Sequence, residues 1–365
     1  MTNAVNIAQS GSNNVTMRNR IINGAMVIDQ RNNGASLAVT STGQYSVDRF
    51  RADIFSSATG RFSIQQSTAA PAGFINSLLV TVTTANASPT AAFGYSVQQM
   101  VEGFNLADLA WGTANAQPAT LSFWVRSSVT GTFPIVIQNG DADRAFGAQY
   151  TISAANTWEY KTVAISGITS GTWLTNNGIG ARVLFGLGGG TDRTISTGFQ
   201  TVPSAGTQTN VTGSTNLLAT NGATWQVTGV QLEEGTAASP FENRLIGTEL
   251  QLCQRYYEKS YPQNLVPGTS GYQYMEYTTC SYNNNSGYIE ATFKFQVMKR
   301  ATPTMVSYDS AGLSGRGSYY VNGSLVNDKS ITFGTGITDY KFYFYTDNST
   351  SKGGAAFGWT ASAEL

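Results

Sequence analysis

Apolar and polar residues alternate with a period of two along much of this chain. In Thr120–Ser127, Leu121, Phe123 and Val125 fall on one face and Ser122, Trp124 and Arg126 on the other, the pattern of a half-buried strand. Trp158–Ile165 alternates the same way, with Val163 and Ile165 opposite Trp158 and Tyr160, and Thr224–Leu232 does so again. Ala181–Leu187 is a denser apolar run, the form of a sandwich-core strand. Gly, Asn, Asp and Thr fill the gaps and supply turns; Gly186–Gly190 (GLGGG) reads as one of them, a hairpin turn. Ser96–Trp111 alternates poorly and predicts a strand followed by an irregular excursion at Asn105–Asp108. Many short strands, turn-rich gaps and no long helical pattern predict an all-β fold, with a jelly-roll β-sandwich over residues 21–243.

The period changes beyond Gly229. A strand leads into a Gly/Ala/Ser/Pro turn, Pro240 stands where the chain leaves that strand, and Asn243 suits a helix cap. Ile246, Leu250, Cys253 and Tyr257 then follow at spacings of four, three and four. This predicts a helical neck over residues 244–260 with a heptad seam less than two heptads long. Two uses of the seam stay open: lining a symmetric axis between subunits, or packing an amphipathic helix on its own domain. Beyond it, residues 261–365 predict a second, smaller β domain. Ser286–Val297 alternates with Phe293, Phe295 and Val297 on one side; Met298–Pro303 forms a polar break. Tyr340–Tyr345 and Ala355–Leu365 read as strands. Residues 1–20 are polar and Asn-rich, too short for a domain, and read as a tail or as an attachment peptide that orders on a partner.

Charge is scarce and balanced. Lys plus Arg and Asp plus Glu both number 21, and only 12% of the 365 residues are charged, about half the usual share. Nothing steers the chain toward nucleic acid or anionic lipid. Met1–Asn14 has neither the basic start nor the apolar stretch of a signal peptide. No window approaches the roughly 18–20 apolar residues of a membrane span, so no membrane insertion is expected. Two cysteines, Cys253 and Cys280, make no disulfide framework; Cys253 reads as a small core residue.

Catalysis finds little support. The chain has no histidine, which excludes Ser-His-Asp and Cys-His arrangements and His-based metal sites. GLGGG lacks the lysine of a P-loop. A glycosidase needs only two carboxylates, but Asp141 and Asp143 form the one tight acidic pair in a β context. Gln138–Arg144 around them reads as a solvated hairpin turn; a Ca²⁺ site is the sharper alternative. The expectation is a non-enzymatic protein without a cofactor.

Sugar binding asks for other chemistry: an aromatic platform for apolar C–H faces and planar polar groups for hydroxyls. Trp124 and Arg126 share the polar face of one predicted strand. Trp173, in Ser170–Leu174, reads as a residue on a loop rim, whereas Trp158 reads as core. Tyr319 and Tyr320, with Tyr340, Tyr343 and Tyr345, could form a receptor-binding surface or pack between subunits.

Several short motifs follow one another along the chain: Asn19-Arg-Ile-Ile-Asn-Gly24, Asp29-Gln-Arg31, Tyr45-Ser-Val-Asp-Arg-Phe50, Ala119-Thr-Leu-Ser-Phe-Trp-Val-Arg-Ser127, Asn156-Thr-Trp-Glu-Tyr160 and Gly229-Val-Gln-Leu-Glu233. Phe295-Gln-Val-Met-Lys-Arg-Ala-Thr-Pro303 and Ser362-Ala-Glu-Leu365 complete the set. Together they resemble bacteriophage tail-fibre-like proteins over nearly the whole chain. The resemblance implies a virion structural protein, a homotrimer, with a jelly roll similar to carbohydrate-binding modules. It would be held to other virion proteins through residues 1–20, with host cell-surface polysaccharide as its target. The absence of a long shaft departs from a conventional long tail fibre. An architectural head or tail decoration protein is the other reading. Assembly inside a bacterium and release by lysis would place it on the particle surface.

Overall fold

A computed structural model describes residues 17–202, 206–278, 288–321, 324–334, 336–347 and 355–365. The chain divides into two compact units, Met1–Val27 with Gly34–Leu245, and Ile28–Asn33 with Ile246–Leu365.

Fifteen strands build the first unit: β1 (Leu37–Val39), β2 (Gln44–Tyr45), β3 (Arg51–Phe55), β4 (Arg61–Ser67), β5 (Ser77–Thr84), β6 (Gly94–Glu102), β7 (Ala119–Ser127), β8 (Gly131–Gln138), β9 (Arg144–Ile152), β10 (Glu159–Ile165), β11 (Ile179–Gly189), β12 (Thr194–Ile195), β13 (Gly198–Thr201), β14 (Asn210–Val211) and β15 (Thr224–Glu234). Thirteen of them form a jelly-roll sandwich of two antiparallel sheets, ordered β1-β4-β5-β15-β7-β10 and β13-β9-β8-β11-β6-β3-β2, and β12 and β14 make a separate parallel pair. Alternation decides which side chains fill it. Leu121, Phe123 and Val125 from β7 are fully buried, as are Ile64, Val80 and Trp225 from their sheet and Val97, Ile135 and Val183 from the other. Phe123 meets Tyr150 and Phe185 edge-on at ring-centroid distances of 5.0 and 5.1 Å. Trp225 Nε1 donates to Tyr150 Oη at 2.9 Å, so the buried polar ends of both rings are paired. After β6, two 3-10 turns at Gly103–Asn105 and Ala107–Leu109 form the irregular excursion.

The GLGGG run is not a hairpin turn. Gly186–Gly189 lies within β11, and a Cβ at Gly186 would stand 1.9 Å from the Thr209 carbonyl oxygen. The glycine lets the segment carrying β12 and β14 lie on the outside of the second sheet. There Ile195, Val202 and Val211 pack with Val136, Ala145 and Leu184 as a second apolar layer.

Residues 19–24 strap across β15 where its pairing with β7 slips between Thr228 and Gln231. Arg20 N donates to Leu232 O at 2.8 Å and Val230 N to Gly24 O at 3.0 Å. The Asn19 side chain is buried, accepts from Ile21 N and Leu232 N, and donates to Val230 O. A Cβ at Gly24 would fall 2.1 Å from that Val230 oxygen.

The second unit begins with the helix α1 (Ile246–Gln254) and continues in β16 (Tyr257–Lys259), β17 (Glu276–Thr278), β18 (Tyr288–Lys294), β19 (Thr304–Tyr308), β20 (Arg316–Val321), β21 (Ser324–Ser330), β22 (Thr332–Phe333), β23 (Lys341–Asp347) and β24 (Ala355–Ser362). β24 is the hub, pairing with β16, β17, β19 and β20. Phe342, Phe344, Phe357 and Trp359 make the core, with Phe344 and Phe357 at 4.4 Å and Phe342 and Trp359 at 5.1 Å. Lys299, inside the expected polar break, is instead fully buried, and its ammonium pairs with the Glu258 carboxylate and donates to Gln254 O at 2.5 Å. Burial lowers the Lys299 pKa, and Glu258 opposes that shift.

The seam expected through Ile246, Leu250, Cys253 and Tyr257 is not one helical stripe. α1 ends at Gln254, and Tyr256 N turning back to Cys253 O tightens its last turn. Tyr257 opens β16 opposite Ser362. Cys253 and Tyr257 are buried within this unit, Leu250 is half-buried and Ile246 is 63% exposed. Ile28–Asn33 completes the unit: Gln30 Nε2 donates to Tyr257 O at 2.8 Å, and Arg31 pairs with Glu364 at 2.9 Å while lying 3.7 Å from the Tyr257 ring centroid.

Two predictions follow from these contacts. Asn19→Ala leaves the Ile21 amide of the strap and the Leu232 amide and Val230 carbonyl of β15 without their side-chain partner, and should cost roughly 3 kcal/mol in urea unfolding. In the second unit, burial pushes the Tyr261 pKa up to about 12. The folded state thus holds the phenolic proton more tightly than the unfolded chain. This stabilisation is complete below about pH 10 and is lost as pH rises through about 12. Tyr261→Phe should flatten the stability loss between about pH 9 and about pH 11.5, measured by urea titration at each pH.

Candidate functional site

Because Leu121, Phe123 and Val125 point into the core, Trp124 and Arg126 stand on the outer face of β7. β10 pairs with β7 and ends its sheet. The register sets Tyr160 directly opposite Trp124, and Thr228 of β15 flanks Trp124 on its other side. The two rings lie 5.4 Å apart at 51°. Tyr160 is 44% exposed and Trp124 is half-buried. Trp158, read from the sequence as core, is also half-buried and sits two residues before Tyr160, where continued alternation puts it on the same side.

Polar groups border these rings. Arg126 Nε donates to Asn156 O at 2.9 Å and its Nη1 to Gln226 Oε1 at 3.2 Å. Gln226 Nε2 in turn donates to Ser77 Oγ at 3.2 Å. The guanidinium is therefore fixed beside the ledge rather than free to swing away from it. Thr228 Oγ1 is buried without a hydrogen-bond partner among the described residues. Aromatic faces for C–H groups and a held guanidinium and amide for hydroxyls are what a saccharide platform requires. The pairing of β7 with β10, which makes Tyr160 part of the ledge, is set by tertiary register and could not be read from either strand alone.

The other expected residues are placed differently. Trp173 is a correction: it is only 8% exposed, stands edge-on to Trp111 at 5.0 Å, and donates from Nε1 to Ser170 O at 3.1 Å. Its Ser/Gly-flanked context suggested a rim, but Trp111 from the irregular excursion covers it. Asp141 and Asp143 lie in the turn between β8 and β9. Asp143 accepts from Asn139 Nδ2 at 2.6 Å and pairs with Arg144 at 2.9 Å, while Asn139 Oδ1 accepts both Asp143 N and Arg144 N at 3.1 Å. The turn thus closes on itself. Among the described residues no group of three or more His, Cys, Asp or Glu could hold a metal ion. Tyr319 and Tyr320 have their backbone in β20, but their side chains, like that of Tyr345, lie outside the described residues. The expected attachment peptide likewise falls outside them for residues 1–16. No helix among the described residues is long and apolar enough to cross a membrane.

No family model matches the chain, and no curated protein matches it. Solved structures with a similar fold include the enzymatically active domain of bacteriophage CBA120 tailspike protein 4, at 12% identity and a TM-score of 0.32, covering 60% of this chain. The chain spans only 22% of that tailspike structure. The family 11 carbohydrate-binding module of Clostridium thermocellum, solved with a mixed-linked tetrasaccharide, matches at 8% identity and a TM-score of 0.29, over 56% of this chain and 97% of the module. The CBM22-1 xylan-binding domain of Paenibacillus barcinonensis Xyn10C matches at 13% identity and a TM-score of 0.25, over 57% and 99%.

Of the six tryptophans, Trp111, Trp173, Trp225 and Trp359 are buried, while Trp124 and Trp158 are half-buried. Acrylamide should therefore quench mainly the latter two, and a Trp124→Phe, Trp158→Phe double variant should lose most of the quenchable fluorescence.

Proposed function

We propose that this chain is a non-enzymatic bacteriophage virion protein that adheres to host-surface glycan through the β7–β10 aromatic ledge. The observation behind this reading is the outward-facing pair of half-buried Trp124 and exposed Tyr160 beside a guanidinium and an amide already held in place. A platform of two or three rings with few fixed polar groups suits weak, repeated sugar contacts rather than one tight site. Such contacts gain strength by multiplicity: a homotrimer, present in several copies on a particle, raises avidity by about 10²–10⁴ without any new contact. Ile246 and Leu250, the two seam residues not buried within the second unit, are where an α1 contact between subunits would form. Residues 1–20 would join the protein to the particle.

Binding of fluorescently labelled protein to host cells, before and after periodate oxidation of surface sugars, tests the reading. Oxidation should abolish binding, and Trp124→Ala with Tyr160→Ala should do so on untreated cells while leaving the melting temperature nearly unchanged. A folded, oligomeric protein that binds neither sample would instead favour the architectural decoration role.

A further inference from the structure

The irregular excursion after β6 and the loop leading into β11 enclose a small cleft within the first unit. Leu106, Trp111, Trp173, Leu174, Thr175 and Gly180 line it, and its volume is about 10 Å³, room for one water-sized group. Both indole N–H groups are committed to the backbone. Trp111 Nε1 donates to Gln117 O at 2.9 Å and Trp173 Nε1 to Ser170 O at 3.1 Å. The rings therefore offer the cleft only carbon. Thr175, an exposed residue, carries the one side-chain hydroxyl in the lining. Two glycines let the walls come together. A Cβ at Gly180 would stand 2.7 Å from Gly103 Cα, and one at Gly103 would stand 2.3 Å from Leu174 O.

An aromatic ring stands beside this cleft. Gly103 N donates to Gly178 O and Phe104 N to Asn176 O, both at 2.9 Å, which ties the first 3-10 turn to the loop bearing Leu174 and Thr175. Phe104 is nonetheless 60% exposed. A water in so apolar a cleft finds few partners, and a methyl group gains by taking its place. The threonine hydroxyl can donate to a carbonyl oxygen next to that methyl. An exposed ring offers its face to the C–H groups of a pyranose. Methyl, carbonyl and pyranose together make an acetamido sugar.

We propose that this cleft, with Phe104 beside it, is a second saccharide site specific for N-acetylhexosamines. The acetamido methyl enters between Trp111 and Trp173, its carbonyl oxygen accepts from the Thr175 hydroxyl, and the pyranose lies on Phe104. The site shares no residue with the Trp124–Tyr160 ledge and is independent of it.

Calorimetric titration of the Trp124→Ala, Tyr160→Ala variant, which lacks the ledge, with N-acetylated chitotriose and with cellotriose tests this. The two trimers share a β-1,4-linked backbone and differ in the substituent at C2. The acetylated trimer should bind about tenfold more tightly than cellotriose, or better. Adding Phe104→Ala, at an exposed position, should weaken that binding about tenfold. Adding Thr175→Val, nearly equal in size, should weaken it about fivefold. Thermal melting of each variant confirms that it is folded. Equal binding of the two trimers, binding of the acetylated trimer that survives both substitutions, or no binding of it would overturn the proposal. The ledge is absent from every arm, so its failure and the failure of this site are separable.

Discussion

The first unit depends on how the bulged half of β15 is satisfied. β15 lies between β5 and β7, but its pairing with β5 covers only Thr224–Val227. The residues beyond would present bare amides and carbonyls inside the fold, which is costly. The strap from Asn19 to Gly24 supplies those partners, using its own backbone and one amide side chain. Gln99 closes the other side: its Oε1 accepts from Ile22 N and its Nε2 donates to Ile22 O, both at 2.8 Å. The two motifs Asn19–Gly24 and Gly229–Glu233, more than 200 residues apart in sequence, are one hydrogen-bonded object. They hold the sandwich together and leave its outer faces free to vary.

The low charge content takes on a different meaning once the structure is seen. Several of the few charged residues are interior fasteners. Asp48, Arg49, Asp53, Glu102, Glu233, Glu258 and Lys299 are all buried. Arg49, in a left-handed backbone conformation at φ 71°, donates to Met100 O. Glu233 accepts from Gln231 Nε2, Ser239 N and Ser239 Oγ. A buried charge of this kind is held by directional bonds, and removing one partner strands the other. Such residues specify one arrangement, and buried Asn and Ser side chains such as Asn19 and Ser77 do the same without charge.

How much of this was legible varied with the kind of interaction. Period-two alternation found β7, β10 and β15, whose alternate residues enter one core as Leu121, Phe123 and Val125 do, while a denser apolar run found β11, which packs apolar side chains on both faces. The irregular stretch after β6 was also legible, because its apolar spacing fits neither strand nor helix. What failed were features set by long-range packing. Gly186–Gly189 looked like a turn because the cause of its glycines, the Thr209 backbone lying against it, is remote in sequence. Trp173 looked like a rim residue because its cover, Trp111, comes from another loop. Lys299 looked like part of a polar break because a buried lysine leaves no mark in periodicity. At the ledge, Trp124 and Arg126 could be placed from alternation, whereas Tyr160 and Gln226 joined them only through strand register.

The inclusion of Ile28–Asn33 in the second unit has a consequence for the order of assembly. Its smaller core is discontinuous in sequence: Gln30 and Arg31 are made early, yet their partners Tyr257 and Glu364 emerge from the ribosome only much later. β24, which joins four other strands, is made after all of them. The second unit therefore cannot close the contacts of Ile28–Asn33, or those of β16 with β24, until segments far apart in sequence have been made, a feature associated with slow folding. Until Glu364 arrives, Arg31 lacks that ion-pair partner, although the chain on either side of Ile28–Asn33 belongs to the first unit. A chain interrupted before β24 would lack the hub strand, and one interrupted before Glu364 would lack the anchor of Arg31, so the unit closes only when segments far apart in sequence are present together.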